Sequence, residues 1–295
     1  MILIRTAFWI AGILLLLSAL ILATHLSTNS LEFSRYNTGW NGTSQFFSDL
    51  DRHQSAGIFT TSDLALYPKN ATLLIIAPER NPTKSELDGY RAFVERGNRI
   101  ILADDFGHGN EILQGIGSQI IIMSGNLSSV DREYANSYSV VVYPATIETR
   151  FFIPPKLMLN RPAALDGGTP LMQTSILSWI DINGDRRLNS QESVGIYPVL
   201  SFERIGNGEL IVLSDPSIFI NAMYSQDTHD NNRDFIRRLI EQNRPVLIDQ
   251  MNSRTQDAEG VNQILHVIRT NVIVEIVIFA VLLLVAAGAW RKKRI

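Results

Sequence analysis

Residues 7–23, AFWIAGILLLLSALILA, and 272–290, VIVEIVIFAVLLLVAAGAW, carry one charge between them, Glu275. No other feature of the chain constrains its architecture as much. A helix rises about 1.5 Å per residue, so ~20 apolar residues span a bilayer core. The spacing predicts a transmembrane helix at each end, over 6–24 and 269–290. Arg5 precedes the first stretch and Arg291-Lys292-Lys293-Arg294 follows the second. Basic flanks stay on the cytoplasmic side. The expected arrangement is a two-pass cell-membrane protein with a cytoplasmic N-terminus over 1–5, a basic cytoplasmic tail over 291–295 and an extracytoplasmic domain over 25–268. No small-x-small site precedes Thr24, so the first stretch reads as an uncleaved anchor rather than a signal peptide. The expected partners are the membrane and subunits of a complex within it.

The chain has no cysteine. That excludes a thiol nucleophile, a cysteine-ligated zinc and an iron–sulfur cluster. A domain of this length buries a core without disulfides. Setting aside Arg5, the four basic residues 291–294 and Glu275 leaves 21 basic and 28 acidic residues, a net charge of −7. Such a surface does not seek nucleic acid.

Within the domain, strand and helix signals alternate. Thr72–Ala77 is a short apolar run, read as a buried strand. Thr83-Lys-Ser-Glu86 is a capping box, and it opens a helix closed by Gly97. Arg99–Ala103 is a strand, Asp104–Gly109 a loop, and Asn110 starts a helix. Glu209–Leu213 is a strand, and Asp215-Pro216 caps the next helix. Asn232–Gln242 reads as helix and Pro245–Ile248 as a last strand. This alternation predicts an α/β fold, a flavodoxin-like open and mostly parallel sheet flanked by helices, with an irregular insertion over 120–195 in which Tyr138–Tyr143 is the one clear strand.

In such sheets ligands bind beyond the carboxyl ends of the strands. Asp104, Asp105, Asp215 and Asp249 all fall there. Asn41 and Ser44, in the loop that opens the first helix, and Asn221, beyond Asp215, complete the set of candidate ligand-binding residues. Each aspartate has a plainer role open to it, as a helix cap or a partner for loop amides. Gly107-x-Gly109 follows a strand but lacks the third glycine of a dinucleotide fingerprint, position 112 being Ile. No nucleotide is expected.

The stretch DINGDRRLNSQE over 181–192 has the spacing of a calcium loop. Asp181, Asn183, Asp185, Asn189 and Glu192 fill the side-chain places, and Arg187 the place that gives a backbone carbonyl. The sixth place, where the sharp turn favours glycine, is Arg186. A left-handed arginine costs roughly 1–2 kcal/mol. Weak Ca2+ binding is one reading, and a self-bonded polar turn is the other.

The blocks RYNTGWNGTSQF, ADDFGHGNEILQGIG, TSILSWIDINGD and LIVLSDPSIFIN resemble the signature blocks of the prokaryotic domain-of-unknown-function 4350 family over most of residues 33–250. The resemblance implies membrane anchoring, a fold like that of class I glutamine amidotransferases, and a link to MoxR-type ATPase systems. Amidotransferase chemistry needs a cysteine nucleophile, which this chain does not have. The expected function is a non-enzymatic, membrane-anchored binding or scaffold protein. The alternative is a degenerate metal-assisted hydrolase using the aspartates at the carboxyl edge of the sheet.

Overall fold

The computed structural model describes residues 28–51, 55–132, 136–145, 151–224, 230–240 and 244–255, with Gly12 and Ser18 besides. Among the described residues no helix is long and apolar enough to cross a membrane. The expected transmembrane helices, and the two-pass cell-membrane localisation built on them, are corrected on that finding. Apart from Gly12 and Ser18, the stretches 6–24 and 269–290 that motivated them lie outside the described residues, as do the two predicted cytoplasmic ends. Length and hydropathy give a run the capacity to span, which is a weaker statement than a placed helix.

In chain order the elements begin with α1 (Ser44–Asp51), β1 (Ser55–Ile58), α2 (Thr61–Ala65), β2 (Thr72–Ile76), α3 (Lys84–Glu95), β3 (Arg99–Ala103) and α4 (Gly109–Ile116). Then come β4 (Ile121–Ile122), β5 (Asn126–Ser129), β6 (Ser139–Pro144), β7 (Leu157–Asn160), β8 (Leu165–Asp166), β9 (Thr169–Thr174), β10 (Ser178–Asp181) and β11 (Val194–Gly195). The last are β12 (Pro198–Ile205), β13 (Gly208–Leu213), a 3-10 turn (Pro216–Phe219), α5 (Asn221–Tyr224), α6 (Asp230–Ile240) and β14 (Val246–Asp249).

Nine strands form one sheet in the order β1-β14-β2-β3-β13-β12-β9-β6-β7. The half from β1 to β13 is parallel, and the half from β12 to β7 is antiparallel. The sheet is therefore mixed, which corrects the expectation of a mostly parallel flavodoxin-like sheet. β6, β7 and β9 come from the region read as an irregular insertion, and they build the antiparallel half. Of these, β9 pairs with β12 and shifts register at Leu200, and only the strand read over Tyr138–Tyr143 stood out from its own pattern, as β6.

The parallel strands β2 and β3 are buried along their whole length, as expected of strands covered on both faces. Side chains alternate across the sheet. Leu73, Ile75, Ile100 and Leu102 meet Tyr90, Phe93 and Val94 of α3 and Ile112, Leu113 and Ile116 of α4. Leu74, Ile76, Ile101 and Ala103 join Phe46 and Phe47 of α1 and Phe235, Ile236 and Leu239 of α6. The capping box at Thr83 and Glu86 is formed with both reciprocal bonds, and Gly97 follows α3 with φ +105°. Asp215 caps the 3-10 turn, with Pro216 as its first residue.

Candidate ligand cleft

The strands β2 and β3 end side by side, Ile76 opposite Ala103. Beyond them run Ala77-Pro78 and the loop that starts at Asp104. A cleft of about 410 Å³ opens over both ends. Glu32, Phe33 and Trp40 wall it from the segment before α1, Arg161 from beyond β7, Ile220 from beside the 3-10 turn, and Arg254 from beyond β14.

Asp104 is 2 % exposed. Its carboxylate accepts from the amides of Gly107 (3.2 Å) and Gly109 (2.7 Å), the start of α4. A Cβ on Gly107 would lie 2.6 Å from Asp104 Oδ1, and one on Gly109 2.6 Å from Oδ2. The Gly107-x-Gly109 pair thus exists to let the loop wrap a carboxylate. Burial pushes the Asp104 carboxyl up to about 6, against the pull of the Gly109 amide.

Asp215 and Asp249 are fully buried. Asp215 accepts from Asn160 N (2.6 Å) and Ser217 N (2.8 Å). Burial raises its pKa to about 7, and the nearby charge of Asp105 adds to the rise. Asp249 accepts from Tyr90 Oη (2.6 Å), Asn252 N (2.8 Å), Ser253 N (2.9 Å) and Ser253 Oγ (3.2 Å). Burial pushes its carboxyl up as well. Neither residue lines the cleft. Both hold the turns that follow their strands.

Asn221 and Ser44 act as a pin. Asn221 Nδ2 donates to the carbonyls of Asn37 (3.1 Å) and Gly39 (2.6 Å), and its Oδ1 accepts from Gln45 N (3.0 Å). Ser44 Oγ bonds the same amide group, and Asn41 Oδ1 accepts from Asn37 Nδ2 (3.0 Å). Ala222 N donates to Trp40 O (3.0 Å). These three sequence candidates fix the loop that presents Trp40 and are not themselves on the cleft surface.

Asp105 remains open. One oxygen accepts from Phe106 N (2.7 Å), and among the described residues no other residue donates to this carboxylate. Burial raises its pKa, while the Phe106 amide and the guanidiniums of Arg254 and Arg161 pull it down. Arg254 pairs with Glu32 at 3.0 Å, and its amide donates to Ile76 O and Ala77 O. The Arg161 guanidinium stacks over the Tyr138 ring at 5.5 Å and makes no hydrogen bond or ion pair among the described residues. Trp40 is 69 % exposed and Phe106 50 %.

The backbone around the cleft is strained. Among the described residues five non-glycine residues have positive φ: Phe33 (60°), Asn70 (62°), Ala77 (46°), Arg161 (61°) and Arg186 (64°). Phe33, Ala77 and Arg161 all line the cleft. Such conformations cost of order 1–3 kcal/mol each and gather at ligand sites.

The 181–192 loop lies elsewhere, on a small sheet of β11, β10 and β5. Arg186 does take the left-handed conformation that its place demands. Asp181 accepts from Gly184 N (2.7 Å), Arg186 N (2.8 Å) and Tyr138 Oη (2.7 Å). Asn183 accepts from Asp185 N (3.0 Å) and Asp185 from Arg187 N (2.8 Å). Glu192 accepts from Ile182 N and Asn189 N, both at 3.0 Å, and Asn189 Nδ2 reaches Asp185 Oδ2 (3.1 Å) and Arg187 O (3.2 Å). The loop's own donors hold it. Among the described residues no group of three or more His, Asp or Glu is placed to hold a metal.

Of the predicted ligand residues, Asp104 and Asp105 reach the cleft. Sequence reasoning missed Phe33, Trp40, Ala77, Arg161 and Arg254. Trp40 had a signal, an aromatic ring in a polar loop between Gly39 and Gly42. Arg161 and Ala77 had none, because each precedes a proline, which favours extended backbone at the residue before it.

A family model described as domain of unknown function (DUF4350) matches residues 35–240. No curated protein matches the chain. Among solved structures, the "mmIFT52 N-terminal domain" is similar at 14% identity and TM-score 0.50, covering 67% of this chain and 89% of that one. A β-galactosidase from Bacillus circulans sp. alkalophilus is similar at 12% identity and TM-score 0.39, covering 62% of this chain and 24% of that one. A ThuA-like protein from Bacteroides uniformis is similar at 13% identity and TM-score 0.37, covering 68% and 83%. At these identities the first likeness speaks to the fold alone, and the other two carry no argument.

Proposed function

The chain belongs to the domain-of-unknown-function 4350 family, and membership brings no activity with it, so from the cleft alone we propose a non-enzymatic domain that binds a small polar ligand over the ends of β2 and β3. The observation that supports this most is the strain. Three of five left-handed non-glycine residues line one cleft of about 410 Å³, within the size range of small-molecule sites. The hydrolase alternative has less support. A catalytic carboxylate needs a free edge toward its substrate. Asp104, Asp215 and Asp249 each spend both oxygens on neighbouring amides or hydroxyls, which leaves Asp105 as the single open carboxylate of the four.

The test is a thermal-shift panel of sugars, amino acids, nucleosides and polyols against the full chain and against Trp40→Ala. Trp40 is an exposed wall, so its loss changes stability by less than about 0.5 kcal/mol. The expected result is a compound that raises the midpoint of the parent and not of Trp40→Ala. A panel with no hits, or with hits indifferent to Trp40, would sink the proposal.

For the 181–192 loop, the left-handed Arg186 supports calcium as an added tie on a turn that already holds itself. About 5 mM calcium, above the sub-millimolar to millimolar dissociation constants of extracellular modules, is expected to raise the midpoint by a few degrees, and Asp185→Ala to abolish the rise. An unchanged midpoint would leave a self-bonded turn.

A further inference from the structure

This inference rests on the cleft reading above and names the ligand's chemistry. Among the described residues the cleft presents one carboxylate oxygen to which no other residue donates and one guanidinium with no hydrogen bond or ion pair. The acceptor is the second oxygen of Asp105, whose first oxygen takes Phe106 N. The cation is the Arg161 guanidinium, which stacks on Tyr138 without a hydrogen bond or ion pair among the described residues. The second arginine of the lining, Arg254, is engaged by Glu32.

The two unclaimed groups come from different halves of the sheet. Asp105 follows β3, in the parallel half. Arg161 follows β7, the last strand of the antiparallel half. Its amide donates to Tyr138 O at 2.8 Å. Its neighbour Asn160 donates to Asp215, beyond β13. The left-handed backbone at Arg161 is what brings an arginine to this point, and a structural turn alone would be better served by glycine.

Charge narrows the ligand. An anion would meet Asp104, Asp105 and Glu32, and a cation would meet Arg161 and Arg254. A molecule with a cationic group for Asp105 and an anionic group for Arg161 satisfies both at once, through charge-assisted hydrogen bonds that are the strong ones. The rest of the lining is mostly apolar or aromatic, with Phe33, Trp40, Phe106, Pro78 and Ile220 the large members and Asn160 and Ser217 the polar ones. We propose that the cleft binds a zwitterion of the amino-acid type, its ammonium on Asp105, its carboxylate on Arg161 and an apolar side chain against Trp40 and Phe106.

Isothermal titration of the full chain with phenylalanine, N-acetylphenylalanine, phenylalanine amide and glucose tests this. The expected result is saturable binding of phenylalanine, with either capped form weaker by about tenfold or more, the usual cost of losing a charged hydrogen bond. Arg161→Gly is expected to lose phenylalanine binding with an unfolding midpoint at or near the parent's, since glycine relieves the left-handed strain. A merely structural Arg161 would instead lower the midpoint. If Arg161→Gly fails to fold, Asp105→Asn carries the test, and it too is expected to lose phenylalanine. Capped forms binding as well as phenylalanine, or no saturable heat from phenylalanine, would overturn the inference. Glucose alone binding in a Trp40-dependent way would overturn it and leave the cleft reading standing. None of the four binding, together with an empty thermal-shift panel, would remove both.

Discussion

Replacing Asp249 with alanine is expected to cost about 4 kcal/mol of stability, since each buried donor left without its acceptor costs about 1–3 kcal/mol. Among the described residues Asp249 is the only acceptor for the Tyr90 hydroxyl, and Tyr90 is fully buried. It also takes the amides of Asn252 and Ser253. Asn252 Nδ2 in turn donates to Tyr90 Oη at 2.8 Å, so the group links α3, β14 and the turn after it. Truncation strands four donors at once, the Ser253 hydroxyl among them. Asparagine is no remedy, because its amide nitrogen would face one of those donors. Tyr90→Phe strands the Asn252 Nδ2 donor alone and leaves one Asp249 oxygen short of its donor, and should cost about half as much. Urea or guanidinium unfolding of the three variants reads this directly. Equal losses for Asp249→Ala and Tyr90→Phe would refute the idea of a shared network.

Stability should fall as pH rises from about 4 to 8, and Asp215 should carry much of the slope. Its pKa is about 7 in the fold and near 3.9 in an unfolded chain. Between those values the native state holds a proton that the unfolded state has lost. The contribution is therefore full below the unfolded pKa and is lost as pH rises through the folded one. For one such fully buried group the change is on the order of 3–4 kcal/mol. Asp104, raised to about 6, adds a slope of the same sign over a lower window. Asp63 and Glu86, whose amide and Arg80 contacts hold them below the usual range, act the opposite way below about pH 4. Unfolding should therefore be compared above pH 5. The difference in stability between pH 5 and pH 8 is expected to shrink by at least half in Asp215→Asn. An unaltered difference would mean that Asp215 ionises normally in the fold.

The parallel half of the sheet was legible because its signals are local. An unbroken apolar run marks β2, a capping box opens α3, and Gly97 closes it. Each is set by residues within a few places of one another. The antiparallel half was legible only at Tyr138–Tyr143, the run that holds most of β6. β6 pairs with β9 across about thirty residues and β12 shifts register at Leu200, so its other strands are defined by distant partners rather than by their own pattern. The site divides the same way. Asp104 and Asp105 follow from the rule that ligands gather at strand ends. Arg161 and Ala77 adopt a backbone that the following proline argues against, and such strain is visible only once the surroundings that enforce it are known. The Arg186 turn is the instructive middle case: the sequence identified the costly place, and the fold occupies it.

Glu32 and Arg254 stand 222 places apart in the chain and meet at the rim of the cleft, 3.0 Å from each other. One lies near the start of the continuous described residues and the other near their end. Both are partly exposed, and an exposed pair of this kind holds by no more than about 1 kcal/mol. A mechanical load that draws the two points apart therefore works first on the latch at the rim, before any strand of the sheet bears it.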